Sequence, residues 1–250
     1  GNGSDRRHDR GVRRRLRHLP ARRSPRLKDW TLAAALNNAR WCNAVCFAHG
    51  TVGRFLVHTW VNAEPVPRFY PNVVTLTTGE ADIVEQRQTV RILLKSHLPG
   101  RWAVKDSFHT LDIARLGFDV LLEANWIRHP EPRAQMMISG LSWERAKPGG
   151  DAFPAALFSD ENFAMFSGSR NGAIVAGGTL YNSDGVVGIS NVTADSDEAP
   201  AVWRDLAALS ASTFRGVPLV GYESGDELDA ARQAGFELGD PLRVWVKGRD

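Results

Sequence analysis

The sequence predicts a mixed α/β fold, one mixed sheet with helices packed on its faces. Three observations carry this. Two tight hairpin signals, Ser-Arg-Asn-Gly at 169–172 and Asn-Ser-Asp-Gly at 182–185, separate three strand-like runs in the second half. A helical stretch and a buried apolar strand follow those runs, then a short helix and a last strand. At 250 residues with 43% hydrophobic content and a mean hydropathy of −0.28, the chain can bury a full core.

Taken in order, Phe163–Ser167, Ala173–Tyr181 and Val186–Thr193 are the three strands. A helix spans Ala199–Phe214, a strand Pro218–Glu223, a helix Asp226–Ala234 ending at Gly235, and a strand Leu242–Lys247. The first half is predicted more coarsely. Asp29 is a good N-cap for a helix reaching about Ala48 and stopped by Gly50, with an apolar stripe of Trp30, Ala34, Trp41, Val45 and Ala48. Arg54–Trp60 and Asn72–Thr77 are strand candidates flanking the extended segment Pro65-Val-Pro-Arg-Phe-Tyr-Pro71. Ala81–Ser96 has helical spacing. Trp102–Lys105 is a short strand, Thr110–Leu116 a short helix and Phe118–Ile127 a strand.

Charge is unevenly placed. Residues 1–28 carry ten arginines and Lys28 against Asp5 and Asp9, a net +9. That leaves −6 for residues 29–250 out of the chain's +3. An arm of this kind, with Arg13, Arg14, Arg15, Arg17, Arg22 and Arg23 at its centre, suits a polyanion such as RNA, because each phosphate contact releases counterions. A solvated tail accounts for the same composition. The Arg-rich start has no apolar stretch behind it and no run is long enough to span a membrane, so a cytoplasmic protein is expected. Cys42 and Cys46 lie one helical turn apart with no His or Cys to complete a ligand set, so they are expected as a reduced, buried pair. No metal is expected. Asp106, Ser107 and His109 hold the atoms of a nucleophilic triad at a spacing that keeps them from facing one another in a strand.

The predicted order, with hairpins before the first long helix of the second half, and the stretch Leu219-Val-Gly-Tyr-Glu-Ser-Gly-Asp-Glu-Leu-Asp-Ala-Ala-Arg-Gln-Ala-Gly-Phe236 followed by Leu242-Arg-Val-Trp-Val246, resemble the core of the GNAT (Gcn5-related N-acetyltransferase) superfamily. The resemblance covers residues 136–250. It implies a GNAT-like acyltransferase fold in which two central parallel strands splay apart and hold an acyl thioester. Asn191, Val192 and Thr193 would then bind the donor, and Tyr222, Glu223 and Ser224 would stand at the open end of the second strand.

In that frame Glu223 is a candidate general base for an attacking amine, or a carboxylate at a helix N-terminus. Tyr222 is a candidate donor to an oxyanion or leaving group, or a buried strand aromatic. Ser224 stands where the family often has Asn. Two positions depart from the family pattern. Ala194-Asp-Ser-Asp-Glu-Ala-Pro-Ala201 replaces the glycine-rich pyrophosphate loop with three carboxylates, which suit a helix N-terminus and oppose a diphosphate. Ala231 stands where a Tyr often protonates the thiolate.

A second, internal match pairs Thr110-Leu-Asp-Ile-Ala-Arg-Leu-Gly-Phe118 and Trp126-Ile127 with Glu227–Phe236 and Trp245-Val246, through one gap. It makes residues 29–135 a candidate degenerate GNAT half, so that the whole would be a degenerate tandem. Phe69-Tyr-Pro-Asn-Val-Val-Thr-Leu76 and Val104-Lys-Asp-Ser-Phe108 are similar to segments of actinobacterial GNAT-related proteins. The expected division is therefore a basic arm at 1–28, a helix and strand region at 29–135 and a GNAT-like domain at 136–250.

Two functions stand at this point. One is an N-acyltransferase that forms an amide on a small-molecule amine. It would hold no permanent cofactor and take acyl-CoA, the family default, or aminoacyl-tRNA held by the arm. The other is a non-catalytic GNAT-like module for a small molecule, protein or RNA. A homodimer is expected because the edges of GNAT sheets often pair.

Overall fold

The computed structural model describes residues 30–148 and 153–248. The predicted Asp29 cap and the basic arm lie outside these residues. Helix α1 (Thr31–Ala48) is followed by short strands β1 (Arg54–Phe55), β2 (Thr59–Val61) and β3 (Val73–Thr75). Next come α2 (Glu80–Lys95), β4 (Trp102–Asp106), a 3-10 turn at Ala114–Leu116 and the long strand β5 (Asp119–His129). The second half adds β6 (Ser142–Arg145), a 3-10 turn at Ala155–Ser159, β7 (Phe163–Arg170), β8 (Ala173–Ser183) and β9 (Val186–Thr193). It closes with α3 (Ala199–Thr213), β10 (Leu219–Glu223), α4 (Gly225–Gln233) and β11 (Glu237–Lys247). No helix among the described residues is long and apolar enough to cross a membrane.

All eleven strands join one sheet in the order β1-β2-β3-β4-β11-β5-β10-β9-β8-β7-β6. The two hairpin signals do what their residues dictate. Asn171 and Gly172, then Asp184 and Gly185, all take positive φ, the backbone that two-residue turns between twisted strands require. The predicted helix at 110–116 shortens to a 3-10 turn. The Asp106 carboxylate draws the backbone N–H groups of Thr110 and Leu111 onto itself, at 3.1 and 2.8 Å, and so holds the chain in a loop there. Arg54–Trp60 is two short strands rather than one, turning back between Phe55 and Thr59.

The order strand, helix, strand, helical segment, strand occurs twice, as β3-α2-β4-β5 with the 3-10 turn before β5 and as β9-α3-β10-α4-β11 with a short helix in that place. Each copy has one short parallel pair, Val73/Val104 and Val74/Lys105 in the first, Val187/Leu219 and Gly188/Val220 in the second. Each copy also sends its last strand into the other. β11 lies between β4 and β5, and β5 lies between β11 and β10, all antiparallel. The boundary at 135/136 falls between β5 and β6, and the sheet runs across it unbroken.

On one face α3 and α4 bury Val202, Trp203, Leu206 and Ala231 against Leu180, Val187 and Leu219. Phe236 seals that layer edge-on to Trp203, with ring centroids 5.2 Å apart. On the opposite face α1 packs Ala34 and Ala35 over Trp126, Val220, Leu242 and Val244, which come from both copies. Cys42 and Cys46, on the buried face of the same helix, are free thiols. Among the described residues no group of His, Cys, Asp and Glu is disposed to hold a metal.

Candidate active site

The site begins where β9 and β10 part. Their parallel pairing stops after Gly188/Val220. In β9 the pairing to β8 then skips from Ser190/Thr179 to Thr193/Gly177, a bulge that puts Asn191 at φ 53°. Buried Thr179 holds the bulge, with its Oγ1 2.9 Å from the Ser190 carbonyl and receiving Asn191 Nδ2 at 3.1 Å. Gly221 permits the close approach at the fork, since a Cβ there would stand 3.0 Å from the Ile189 carbonyl oxygen.

Helix α1 roofs the fork. Asn37 donates from Nδ2 to the carbonyls of Tyr181 and Val186, at 2.9 and 3.3 Å, and so pins the helix to the β8–β9 hairpin. Gly188 is required beneath it, because a Cβ there would collide with Asn37 Oδ1.

Between α1, the 69–71 loop and the ends of β4, β9 and β10 lies a cavity of about 250 Å³. A second, narrow pocket of about 20 Å³, lined in part by the same residues, lies in the fork at Gly188 and Gly221. Ligands of open α/β sheets collect at such carboxyl ends, where topology opens a crevice. Phe69, 89% exposed at φ 73°, stands at the rim, and Tyr70 lies inside it. Burial pushes the Tyr70 phenol well above its ordinary value, against a hydrogen bond with Asn191 that acts the other way.

Glu223 and Tyr222 both line this cavity. Burial pushes the Glu223 carboxyl up to about 7, helped by the charge of Glu227 one turn into α4. Its carboxylate makes no side-chain hydrogen bond or ion pair among the described residues. The corresponding acid of the first copy, Asp106, is buried too, and burial raises its pKa. It is nonetheless tied to its own loop by the N–H groups of Phe108, Thr110 and Leu111. The mouth of the first copy's parallel pair is closed as well, by a 2.9 Å hydrogen bond from Ser107 N–H to Thr75 Oγ1. Of two similar strand ends, only the second leaves its carboxylate free.

Tyr222 lies edge-on to Trp126, with ring centroids 5.6 Å apart, and its hydroxyl accepts from Lys105 Nζ at 2.9 Å. Asn191 lines the cavity. Val192 packs into the α3 layer on the other face, and Thr193 is exposed beyond the bulge. Ser224 is the N-cap residue of α4, makes no capping hydrogen bond from its side chain, and does not line the cavity. Ala231 is fully buried under α3, so no phenol enters from that position. The six arginines of the arm lie outside the described residues.

The 194–201 loop departs from expectation in detail. Glu198 is the residue before α3 but makes no side-chain cap. It pairs instead with Arg170 of β7 at 2.6 Å. Pro200 occupies the first turn, with no acid in it. Asp106, Ser107 and His109 form no triad. Ser107 gives its carbonyl to Trp126 Nε1 at 2.7 Å, and His109 contacts Glu123 and Arg243.

Sequence reasoning missed Lys105 and Tyr70. The signal for Lys105 was present, because Val104-Lys-Asp-Ser107 and Gly221-Tyr-Glu-Ser224 occupy matching places in the two copies.

No family model and no curated protein matches the sequence. Solved structures do match. A GCN5-related N-acetyltransferase from Kribbella flavida superposes with a TM-score of 0.52 at 14% identity, over 87% of this chain and 96% of that one. A GCN5-related N-acetyltransferase from Sphaerobacter thermophilus gives 0.50 at 13%, over 89% and 94%. The chain has the GNAT fold, with a splayed parallel pair at its centre.

Proposed function

We propose that this chain is an acyltransferase that forms an amide, with the donor carbonyl in the β9–β10 fork and Glu223 as general base. The observation that carries this is the unpartnered Glu223 carboxylate at the cavity, pushed to about 7, where a base is half ionised near neutral pH. In the reaction the amine nitrogen bonds to the acyl carbon while Glu223 takes its proton. The tetrahedral intermediate then collapses and expels the donor's thiolate or alkoxide. Tyr222 hydroxyl, held by the Lys105 ammonium, gives that leaving group a proton. It is reprotonated through solvent as Glu223 releases its own. Backbone N–H groups at the β9 bulge are the donors this reading assigns to the oxyanion.

The donor is the finer question. Asp195 and Asp197 precede α3, where a CoA diphosphate would sit, and they oppose a phosphate group, while Glu198 is paired with Arg170. This favours the ester of an aminoacyl-tRNA, whose reacting end needs no diphosphate there and whose backbone suits the arginines of the arm. Calorimetry with acetyl-CoA and mobility shift with aminoacyl-tRNA separate the donors. The expected result is no heat with acetyl-CoA and tRNA binding that weakens steeply with salt. Changing Arg13, Arg14, Arg15, Arg17, Arg22 and Arg23 to Gln should abolish that binding. Micromolar acetyl-CoA binding would return the reading to an acyl-CoA enzyme. Failure of both would leave a non-catalytic binding module.

A further inference from the structure

Lys105 is 4% exposed, on the α1 side of β4, and its ammonium lines the cavity. Its two hydrogen-bond partners are neutral, Asn38 Oδ1 at 2.8 Å and Tyr222 hydroxyl at 2.9 Å. The Tyr222 ring centroid is 4.2 Å from Nζ. No carboxylate pairs with it among the described residues. An ammonium has three protons to donate, so one remains. Neighbouring Asp106 projects to the other face of the strand and is engaged by its own loop. Glu223 lines the same cavity without forming an ion pair with Lys105.

A largely buried ammonium without a counter-ion is destabilising. A Met of similar length would fill the same space more stably. Packing therefore gives no reason for a lysine here, whereas a ligand that brings a negative charge does. Among the described residues the cavity is lined by one unpaired cation, Lys105, and one unpaired carboxylate, Glu223. Its volume of about 250 Å³ lies just below the range of roughly 300–1,000 Å³ usual for small-molecule sites.

We infer that the cavity takes a small zwitterion, an amino acid or closely similar amino carboxylate, with its carboxylate on Lys105 Nζ and its amine toward Glu223. Calling this ligand the acyl acceptor rests on the acyl-transfer reading. The carboxylate site does not.

The test is calorimetry on the full chain at pH 8 and fixed ionic strength, with the twenty proteinogenic amino acids and their C-terminal amides. At least one acid should bind tenfold or more tightly than its amide, and Lys105→Met should erase that preference. Lys105→Gln is run beside it, and thermal melts report the fold, so that a folding defect in one variant leaves the other to decide. Lys105→Met is expected to melt no lower than wild type. The inference is overturned if no acid is preferred over its amide, or if a folded Lys105 variant keeps the preference. Acid-selective binding with no acyl transfer from any donor would sink the acyl-transfer reading alone. Transfer to amines that ignores the carboxylate would sink this inference alone.

Discussion

Glu223→Gln should move stability and activity in opposite directions, and pH should separate the two. Burial raises the Glu223 carboxyl from 4.5 to about 7 in the folded chain. Below pH 4.5 both folded and unfolded chains hold the proton and no penalty exists. Between 4.5 and 7 the unfolded chain has lost it while the folded chain keeps it, so stability falls as pH rises through this window. Above 7 the penalty is complete. The span corresponds to on the order of 3 kcal/mol at about 1.4 kcal/mol per pH unit, and residual solvent access at the cavity brings it to about 2.

Glutamine keeps the shape without the charge. Urea melts at pH 4.5, 6 and 8 should therefore show the variant gaining about 2 kcal/mol on wild type between the first and the last. Wild-type kcat/KM should rise through pH 7 as the base ionises, and the variant should lose about 10²–10⁴-fold with that limb absent. Parallel stability profiles for the two proteins would refute the buried, unpartnered carboxylate. A pH limb that persists in the variant would refute its role as base.

Two other substitutions or reactions test the frame of the site. Gly188→Ala should cost about 2 kcal/mol by driving a Cβ into Asn37, whose amide nitrogen is held by the β8–β9 hairpin through the carbonyls of Tyr181 and Val186 and the Ser183 hydroxyl. Combined with Asn37→Ala the loss should be less than the sum of the two singles, as a thermal-melt double-mutant cycle would show; strict additivity would contradict the contact. Burial pushes the Cys42 thiol up to about 11 and raises Cys46 as well, so neither should react with a disulfide reagent at pH 8 until the chain is unfolded. Labelling at the rate of an exposed thiol would show that α1 does not seal them.

Much of the second half was legible because its elements are fixed by local chemistry. Asn-Gly and Asp-Gly specify turns with two positive φ values, and the alternation on either side then sets β7, β8 and β9. The helix ending in Ala-Gly-Phe follows from a glycine that takes φ 100° at its close and an aromatic that must be buried next. Other features had weaker local signals. Ser142–Arg145 is an edge strand with exposed residues and no apolar alternation to announce it. Asp106 holds its loop through a carboxylate that composition alone cannot assign to a partner.

The candidate site divides the same way. Glu223, Tyr222 and Asn191 stand at strand ends beside the fork that the resemblance implied, and all three line the cavity. The match between Val104–Ser107 and Gly221–Ser224 marked Lys105 as the counterpart of Tyr222, but not that the two would meet. It meets Tyr222 across 117 residues because two like units exchange their last strands and a single helix covers both.

By itself the sequence determined most elements of the second half and their turns, since these follow from backbone conformation and hydrophobic period over a few residues, while the fork between two parallel strands was implied by the resemblance to the GNAT core. The tertiary structure decided which of two matching carboxylates stayed free, and which cation faced it. Those outcomes depend on strand exchange and burial, and both are set by contacts between segments that have no local trace of one another.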